Sequence, residues 1–356
     1  MMNNISKAQK LIKENGFDAI LVNSEENMHY FCGFSPSEGL ILITNDECYH
    51  IVDSRYTVIA QRMSKESKLH VIEIETTFID ALSAIIKKHN LKNIAFEDEK
   101  TTVASYSRLC TIEDTAFHGI KNKLTMLRSI KSRDELDTMI KAQKISEKAF
   151  DEMLNHVKIG KTEKELAALL DYLMLSFGSE KASFDTIFVS GKNTSMPHGV
   201  PSEKKLCDGD FVTVDFGATY NGYHSDMTRT FCIGHATDEM IDVYNTVLTA
   251  QKEVLKQIKA GAACSDMHNL AASIINGRGY GGCFKHALGH GLGLEIHEGL
   301  SCSPRSEHIL QVGDVTSVEP GIYLNEKFGV RIEDVVYIEE NGCTNLMKTP
   351  KELLIL

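Results

Sequence analysis

The residues best able to do chemistry fall in three short segments of the second half of the chain. The first contains Asp215 and Asp226, on either side of Asn221 and Gly222, a dipeptide strongly favoured in two-residue hairpin turns. A turn there puts Gly217 opposite Asp226, so Asp215 and Asp226 are diagonal neighbours on one face, within about 7–8 Å at the backbone. Two such carboxylates repel each other unless a proton or a cation lies between them. The alternative is that both aspartates are solvated on an exposed face.

The second segment, residues 285–300, holds three histidines among closely spaced glycines: His286, His290 and His297. This density of glycine does not support a stable helix, and it suits a backbone that bends close to a site. Isolated histidines are commonly ordinary, partly buried side chains. Three of them beside four glycines favour a functional site.

The third segment, residues 313–340, reads as two strands joined by a loop around residues 325–329. Glu319 ends the first strand, and Glu333 lies inside the second on the same face as Arg331. A glutamate on a buried strand face needs a partner. That partner is either a base such as Arg331 or a metal ion.

Together the three segments supply four carboxylates and one imidazole: Asp215, Asp226, His290, Glu319 and Glu333. This set balances the charge of two divalent cations. Mostly oxygen ligands with one nitrogen suit Mn²⁺, Co²⁺, Fe²⁺ or Zn²⁺ rather than a thiolate site. Two such ions about 3.5–4 Å apart can activate a shared hydroxide at neutral pH.

The order and spacing of these segments resemble the pita-bread metallopeptidases, which include methionine aminopeptidase, aminopeptidase P and prolidase. The matching segments are MPHG (196–199), VDFGA (214–218), SDMTRTF (225–231), HALGHGLGLEIHE (286–298), VEPGIY (318–323) and VRIEDVV (330–336). The resemblance covers about the last two thirds of the chain at residue level. The first third resembles the family's creatinase-type N-terminal domain in pattern.

The resemblance implies a ligand role for each member of the set. Asp215 would bind one metal ion, and His290 and Glu319 the other. Asp226 and Glu333 would bridge the two ions. The implied cofactor is a pair of divalent metal ions in each chain, with Mn²⁺ favoured.

The resemblance also implies catalytic roles. Glu319 would carry a proton from the attacking water to the departing nitrogen. His198 and His297 would face the substrate, holding the scissile carbonyl and stabilising the tetrahedral intermediate. His286 and Arg331 would support the substrate pocket.

The proline-directed branch of the family fits best, because methionine aminopeptidases lack counterparts of His286 and Arg331. The expected activity is a metal-dependent exopeptidase that hydrolyses the Xaa-Pro bond at the N-terminus of peptides. An Xaa-Pro dipeptidase, or prolidase, is the alternative. The aminopeptidase is preferred because no further group that could hold a free C-terminal carboxylate is identified in the sequence. A methionine aminopeptidase-like enzyme and a non-enzymatic binding module on the same fold stay as lesser alternatives.

The elements that must position these residues form two predicted domains. Residues 1–125 alternate helices and strands and predict an α/β domain, with a hairpin around Asn45 and Asp46. Residues 126–356 predict an α+β catalytic domain with helices against antiparallel strands. Its long helices are expected to begin at polar N-caps and to end near residues 156, 178, 261 and 277. The predicted N-caps are Ser132, Thr162, Thr237 and Ser265.

The overall composition fits a soluble enzyme, expected in the cytoplasm, and the resemblance implies proline-containing peptides as its substrates. The 356 residues include 38 Lys and Arg against 49 Asp and Glu, so the net charge is −11, without the basic footprint of a nucleic-acid binder. Nine scattered cysteines, none in a C-x-x-C pair, favour a reducing compartment over a disulfide framework. No signal peptide and no membrane span are expected. A homodimer is expected from the resemblance.

Overall fold

The structure is a computed structural model that describes residues 2–65 and 69–356. It divides into two compact units, Met1–Arg128 and Ser129–Leu356. The domain division after residue 125 stays a prediction. No helix among the described residues is both long enough and apolar enough to cross a membrane.

The first unit is built on a mixed six-stranded sheet. Its strands are β1 Ala19–Val22, β2 Gly39–Thr44, β3 Cys48–Val52, β4 Leu69–Glu73, β5 Asn93–Phe96 and β6 Ala116–Gly119. Its helices are α1 Met2–Asn15, α2 Glu25–Cys32, α3 Thr57–Ser64, α4 Phe78–His89, α5 Val103–Leu109 and α6 Lys123–Ser129. The strand order is β4-β3-β2-β1-β5-β6. β2 and β3 are antiparallel with Ile43 opposite Cys48, which confirms the hairpin predicted around Asn45 and Asp46.

The second unit surrounds short antiparallel sheets with long helices. The helices are α7 Arg133–Leu154, α8 Glu163–Ser176, α9 Asp238–Gln257 and α10 Cys264–Gly277, with a 3₁₀ turn at Gly191–Ser195. The first strands are β7 Ile187–Ser190, β8 Phe211–Phe216, β9 Thr219–Tyr220, β10 Tyr223–His224, β11 Met227–Cys232, β12 Gly289–His290 and β13 Ser301–Cys302. The last are β14 Val315–Val318, β15 Gly321–Leu324, β16 Phe328–Arg331, β17 Asp334–Glu339 and β18 Gly342–Asn345.

Three of the four predicted N-caps in this unit are confirmed. Ser132 and Thr162 each form a complete capping box, and the Thr237 side chain accepts a hydrogen bond from the backbone N–H of Met240. The prediction for Ser265 is wrong. The N-cap of α10 is Ala263, two residues earlier, without a side-chain cap, and α9 ends at Gln257 rather than near residue 261.

Of the two strands predicted for residues 313–340, the first ends one residue before Glu319, close to the predicted end, and the second is broken at Glu333. β14 pairs with β17, whereas β15 pairs with β16 in a different sheet. Glu319 and Pro320 separate β14 from β15, because proline has no N–H to continue a ladder. Glu333 lies between β16 and β17, and its N–H donates to the carbonyl of Thr228 in β11 instead. The prediction that Glu333 lies inside a strand is therefore wrong.

Candidate metal centre

A cavity of about 590 Å³ in the second unit brings together every residue predicted for the site. Its lining includes His198, Asp215, Asp226, His286, His290, His297, Glu319, Arg331 and Glu333. These residues come from strands and connections spread over more than a hundred positions of the chain. Their roles stay predictions, whereas their convergence on one cavity is a structural observation.

The hairpin that carries the two aspartates has the predicted register. Thr228 lies opposite Asp215 in the β8–β11 pair, and Ser225 N–H donates to the Ala218 carbonyl at 2.9 Å, so the pairing runs through to the turn without a bulge. Asp226 is 4% exposed and the Asp215 side chain 14%. The alternative of two solvated aspartates on an exposed face is therefore wrong.

The glycines around His290 allow its backbone to approach a neighbouring strand very closely. A Cβ atom on Gly289 would lie 1.9 Å from the Ser317 carbonyl oxygen. The His290 N–H donates to the Ser317 hydroxyl at 3.0 Å. Because β14 leads directly into Glu319, this approach sets the imidazole beside that carboxylate.

The distances within the cluster match a ligand set. His290 Nε2 lies 3.5 Å from Asp226 Oδ2 and 3.5 Å from Glu319 Oε1. One ligand atom from each of Asp226, His290 and Glu333 lies within 4.8 Å of the other two. Atoms that each bind one metal ion at about 2.0–2.2 Å are themselves about 3–3.5 Å apart.

Two oxygen atoms of the cluster are buried without a hydrogen-bond partner, Asp215 Oδ1 and Glu333 Oε1. The second oxygen of each carboxylate is held by a donor: Arg331 Nη2 at 2.7 Å from Asp215 Oδ2, and the Thr228 hydroxyl at 2.8 Å from Glu333 Oε2. A buried, unpaired carboxylate oxygen is costly. Divalent cations at the cluster would supply the missing partners, and the oxygen-rich donor set suits them.

Protonation of the cluster reflects crowding of like charges. Burial raises the pKa of Asp226 and of Glu333 well above the usual range, and the neighbouring carboxylates raise both further. Burial also raises the pKa of Glu319 to about 8, with Asp215 adding to the rise against the opposing effect of Arg331. Burial and the nearby His297 lower the pKa of His290 to about 4. The imidazole is therefore neutral at pH 7 and offers a lone pair, while the four carboxylates have the single positive charge of Arg331 beside them.

Arg331 pairs with Asp215 and not with Glu333, so the proposed salt bridge between Arg331 and Glu333 is wrong. The reason is that Arg331 ends β16, and its guanidinium points across to β8. Its Nη1 donates to the Tyr323 hydroxyl at 2.8 Å and to the Pro197 carbonyl at 3.2 Å.

Two residues of the site were missed by sequence reasoning. Tyr323 accepts from Arg331 and lies 2.9 Å from His286 Nε2, so it links the two supporting side chains. Thr228 donates to Glu333 Oε2 and accepts from Arg331 Nε at 3.1 Å. The available signal for Thr228 was its position two residues after Asp226, on the same strand face.

The remaining histidines differ in burial. His297 is exposed but lies edge-on to His290, with ring centroids 4.2 Å apart, and partial desolvation of its ring together with His198 lowers its pKa. Burial and the nearby Arg331 lower the pKa of His286 to about 4. His198 is exposed at the rim of the cavity. The apolar part of the lining comes from Phe184, Ile187, Pro197, Val200, Pro201 and Ile296.

Comparison with known families gives two matches that together span most of the chain. Residues 137–340 match the model of "Metallopeptidase family M24". Residues 4–130 match the model of "Creatinase/Prolidase N-terminal domain".

Similar proteins match over nearly their whole length. A protein of Pyrococcus furiosus named Xaa-Pro dipeptidase is 37% identical over 99% of this chain and 100% of its own. The solved structure titled "Xaa-Pro dipeptidase from Bacillus anthracis" superposes with a TM-score of 0.97 at 36% identity, covering 100% of this chain and 99% of that one. The structure titled "X-Pro aminopeptidase from Thermotoga maritima MSB8" gives a TM-score of 0.93 at 39% identity, covering 98% of this chain and 100% of that one.

Proposed function

The chain belongs to metallopeptidase family M24 and is a hydrolase of peptide bonds, and on this premise we propose that it is an Xaa-Pro dipeptidase. The family and the fold class, a creatinase-type N-terminal domain followed by a pita-bread domain, agree with the resemblance found in the sequence. The dipeptidase was the alternative at that point. Whole-length similarity to proteins named Xaa-Pro dipeptidase favours it over the aminopeptidase.

The observation that carries the proposal is the convergence of Asp215, Asp226, His290, Glu319 and Glu333 on one cavity. We propose that these five residues hold two divalent ions, with Asp226 and Glu333 shared between them and Mn²⁺ as the preferred metal. When bound, such ions polarise a scissile carbonyl and make water nucleophilic at neutral pH. The unpartnered oxygens Asp215 Oδ1 and Glu333 Oε1 support this assignment.

The chain's own groups would then bind, orient and move protons. Glu319 Oε1 accepts a hydrogen bond from the Ser317 hydroxyl at 3.1 Å, which leaves Oε2 to take the proton of the attacking water and pass it to the proline nitrogen. His198 would hold the scissile carbonyl from the rim. His297, whose pKa is lowered by partial desolvation of its ring and by His198, would donate an N–H to the developing oxyanion.

The apolar wall suits the imino-acid ring. An Xaa-Pro bond is a tertiary amide without an N–H, so a site that accepts it needs shape rather than a donor–acceptor pair at that nitrogen. Phe184, Ile187 and Ile296 offer apolar surface beside the carboxylate cluster. Arg331 would keep Asp215 oriented while its other nitrogen fixes the Pro197 carbonyl.

Hydrolysis of Ala-Pro, Ala-Pro-Ala and Ala-Ala-Ala tests the proposal. Each peptide is incubated with protein stripped of metal and then with added Mn²⁺, Co²⁺ or Zn²⁺. Metal-dependent cleavage of Ala-Pro alone is the expected result. Metal binding without cleavage of any of the three peptides would refute it.

An Xaa-Pro aminopeptidase is the second candidate. The 39% identity to the Thermotoga maritima X-Pro aminopeptidase structure favours it specifically. Cleavage of Ala-Pro-Ala at a rate similar to that of Ala-Pro would establish this candidate instead.

For location and assembly we propose a cytoplasmic homodimer. All nine cysteines lie among the described residues and are free, which agrees with a reducing compartment. Light scattering coupled to gel filtration tests the assembly, and a fully active monomer would refute it.

A further inference from the structure

We infer that Glu163 is a positioning residue for His198, because its buried carboxylate joins the two ends of the segment that carries this histidine. The segment is residues 190–202, named here the His198 segment. The inference rests on the proposed function, in which His198 contacts the substrate. Glu163 itself lies outside the cavity lining, so any effect on catalysis has to pass through other residues.

Each carboxylate oxygen of Glu163 holds one end of the His198 segment. Oε1 accepts hydrogen bonds from the N–H and the hydroxyl of Ser190, at 2.7 and 2.9 Å. Oε2 accepts the equivalent pair from Ser202, at 3.0 and 2.6 Å. Asn193 Nδ2 donates to both oxygens, at 3.1 and 3.3 Å. With Glu163 fully buried, these bonds are shielded from water and close the segment into a ring.

The helix that carries Glu163 does not need this carboxylate for its own end. Thr162 is the N-cap of α8, and Glu165 completes the capping box. An acidic residue in a first helical turn also interacts favourably with the helix dipole, but an exposed side chain would do so equally well. The orientation of Glu163 towards Ser190 and Ser202 is therefore explained by the His198 segment and not by the helix.

The His198 segment needs such a support because its functional residue is exposed. Little packing surrounds His198, so the backbone decides where its imidazole lies. Two backbone turns shape the tip: Met196 N–H donates to the Asn193 carbonyl and Gly199 N–H to the Met196 carbonyl, both at 3.1 Å. Arg331 Nη1 holds the Pro197 carbonyl at 3.2 Å. Glu163 holds the two ends of the same segment, at Ser190 and Ser202.

Glu163→Gln changes the hydrogen bonding of this side chain while keeping its size and shape. The carboxylate accepts from a backbone N–H on each side, whereas an amide has one oxygen and one NH₂ group. The NH₂ group must face the N–H of either Ser190 or Ser202, and two donors cannot bond to each other. One end of the His198 segment is therefore released.

The first unit offers a matched control in Glu97. This carboxylate is also buried, and it accepts from the N–H groups of Asn23 and Ser24, the Ser24 hydroxyl and the Asn27 amide. Glu97→Gln also places a buried NH₂ group against a donor, here Nδ2 of Asn27, although both backbone N–H groups can stay on the remaining oxygen. The segment carries no proposed catalytic residue. We expect it to lower stability as Glu163→Gln does and to leave turnover of Ala-Pro unchanged.

The test combines hydrogen exchange with a double-mutant cycle on the full chain. In Glu163→Gln, amide exchange within residues 190–202 should rise, and kcat for Ala-Pro should fall about tenfold to a hundredfold. In a His198→Ala background, adding Glu163→Gln should lower kcat by less than about threefold, because the histidine it positions is gone. Ser202→Ala, which removes one of the hydrogen bonds, serves as a milder variant should Glu163→Gln fold poorly. It should raise exchange near residue 202 and lower kcat less.

The outcomes separate the inference from the proposed function. Unchanged exchange in residues 190–202 would overturn the inference whatever the activity. An equal loss of kcat with and without His198 would also overturn it, since Glu163 would then act independently of the histidine. If the unmodified protein cleaved no proline peptide, the proposed function would fail, and the exchange result alone would decide whether Glu163 holds the segment.

Discussion

Glu333 and Asp334 are neighbours in the chain and both are buried, yet their carboxylates have opposite surroundings. Glu333 faces Asp226 and Glu319, has one oxygen without a partner, and its pKa is raised by burial and by the other carboxylates. Asp334 faces the other way. Burial alone would raise its pKa, but Arg229 and Lys351 outweigh that effect and hold it below the usual range.

Both carboxylate oxygens of Asp334 are already held by side-chain donors. Oδ1 accepts from Arg229 at 2.9 Å, and Oδ2 accepts from Gln251, Asn345 and Lys351 at 2.9, 2.6 and 2.6 Å. Burial of an acid is therefore weak evidence of function. A buried acid marks a candidate ligand site when its neighbours are other acids and its oxygens lack donors.

The largest expected effect is that of Glu333→Gln. The amide cannot supply the negative charge proposed to bridge two cations, so metal content should fall and kcat/KM should drop by at least about a thousandfold. The metal-free variant should melt no lower than the metal-free parent, because one of several repelling buried carboxylates is gone. Elemental analysis, peptide hydrolysis and thermal melting measure the three quantities.

Glu340→Gln is the control for this change, since Glu340 is exposed in the turn between β17 and β18. It should leave metal content, turnover and melting unchanged. Normal metal content and turnover in Glu333→Gln would contradict the ligand assignment and remove the contrast with Asp334.

Asp334→Asn should produce the reverse pattern, a loss of stability with little loss of chemistry. It leaves Arg229 and Lys351 without their counter-charge in a buried place, which costs about 3–5 kcal/mol of unfolding free energy. Turnover per folded molecule should stay within about tenfold of the parent, because Asp334 does not line the cavity. Urea unfolding of metal-free protein gives the stability. Abolished metal binding with unchanged unfolding would show that Asp334 belongs to the metal centre.

The pH dependence of metal stabilisation sharpens the comparison further. In the metal-free protein the pKa of Glu319 is about 8, above its unfolded value of about 4.3. The folded state therefore binds the proton more tightly. That contribution to stability is complete below pH 4.3 and is lost as pH rises through 8. Metal binding needs the deprotonated carboxylate, so the rise in melting temperature caused by metal should increase between pH 5.5 and pH 8.5.

Melting curves with Mn²⁺ and with a chelator, at three pH values in this range, measure that difference. Asp334 has a lowered pKa and should add no dependence above pH 5.5. A metal-induced shift that stays constant with pH would contradict the description of the cluster as carboxylates crowded by like charge.

The sequence predicted the local geometry around the candidate site where the signals are local, while the roles of its residues stay predictions. The hairpin at Asn221 and Gly222 fixed which aspartates share a face, and the glycines around His290 indicated a close backbone approach. What it could not predict are pairings between distant residues. The Thr228 hydroxyl bonds to Glu333 across 105 positions, and no periodicity encodes that contact.

The strand break at Glu333 was missed for a related reason. An apolar, alternating pattern reads as one continuous strand whether or not the strand changes partner. Pro320 gave a local signal for the end of the first strand, which was predicted at Glu319 and lies at Val318. Nothing local signals the break at Glu333, because it depends on β11 taking its N–H. The same holds for Asp334, whose four partners are contributed by β11, α9, β18 and the chain's last residues.

The smallest expected effect is that of Lys351→Met. This variant tests whether the charges around Asp334 influence the carboxylate of Glu333. Lys351 is 17% exposed, whereas Arg229 is 4% exposed, so water screens the lysine more and its loss should cost about 1 kcal/mol. Arg229 would still neutralise Asp334, and metal affinity and turnover should not change. Isothermal titration with Mn²⁺ measures the affinity. A weaker Mn²⁺ affinity in this variant would mean that the charges around Asp334 influence metal binding at Glu333. The distinction between a ligand acid and a structural acid would then not hold here.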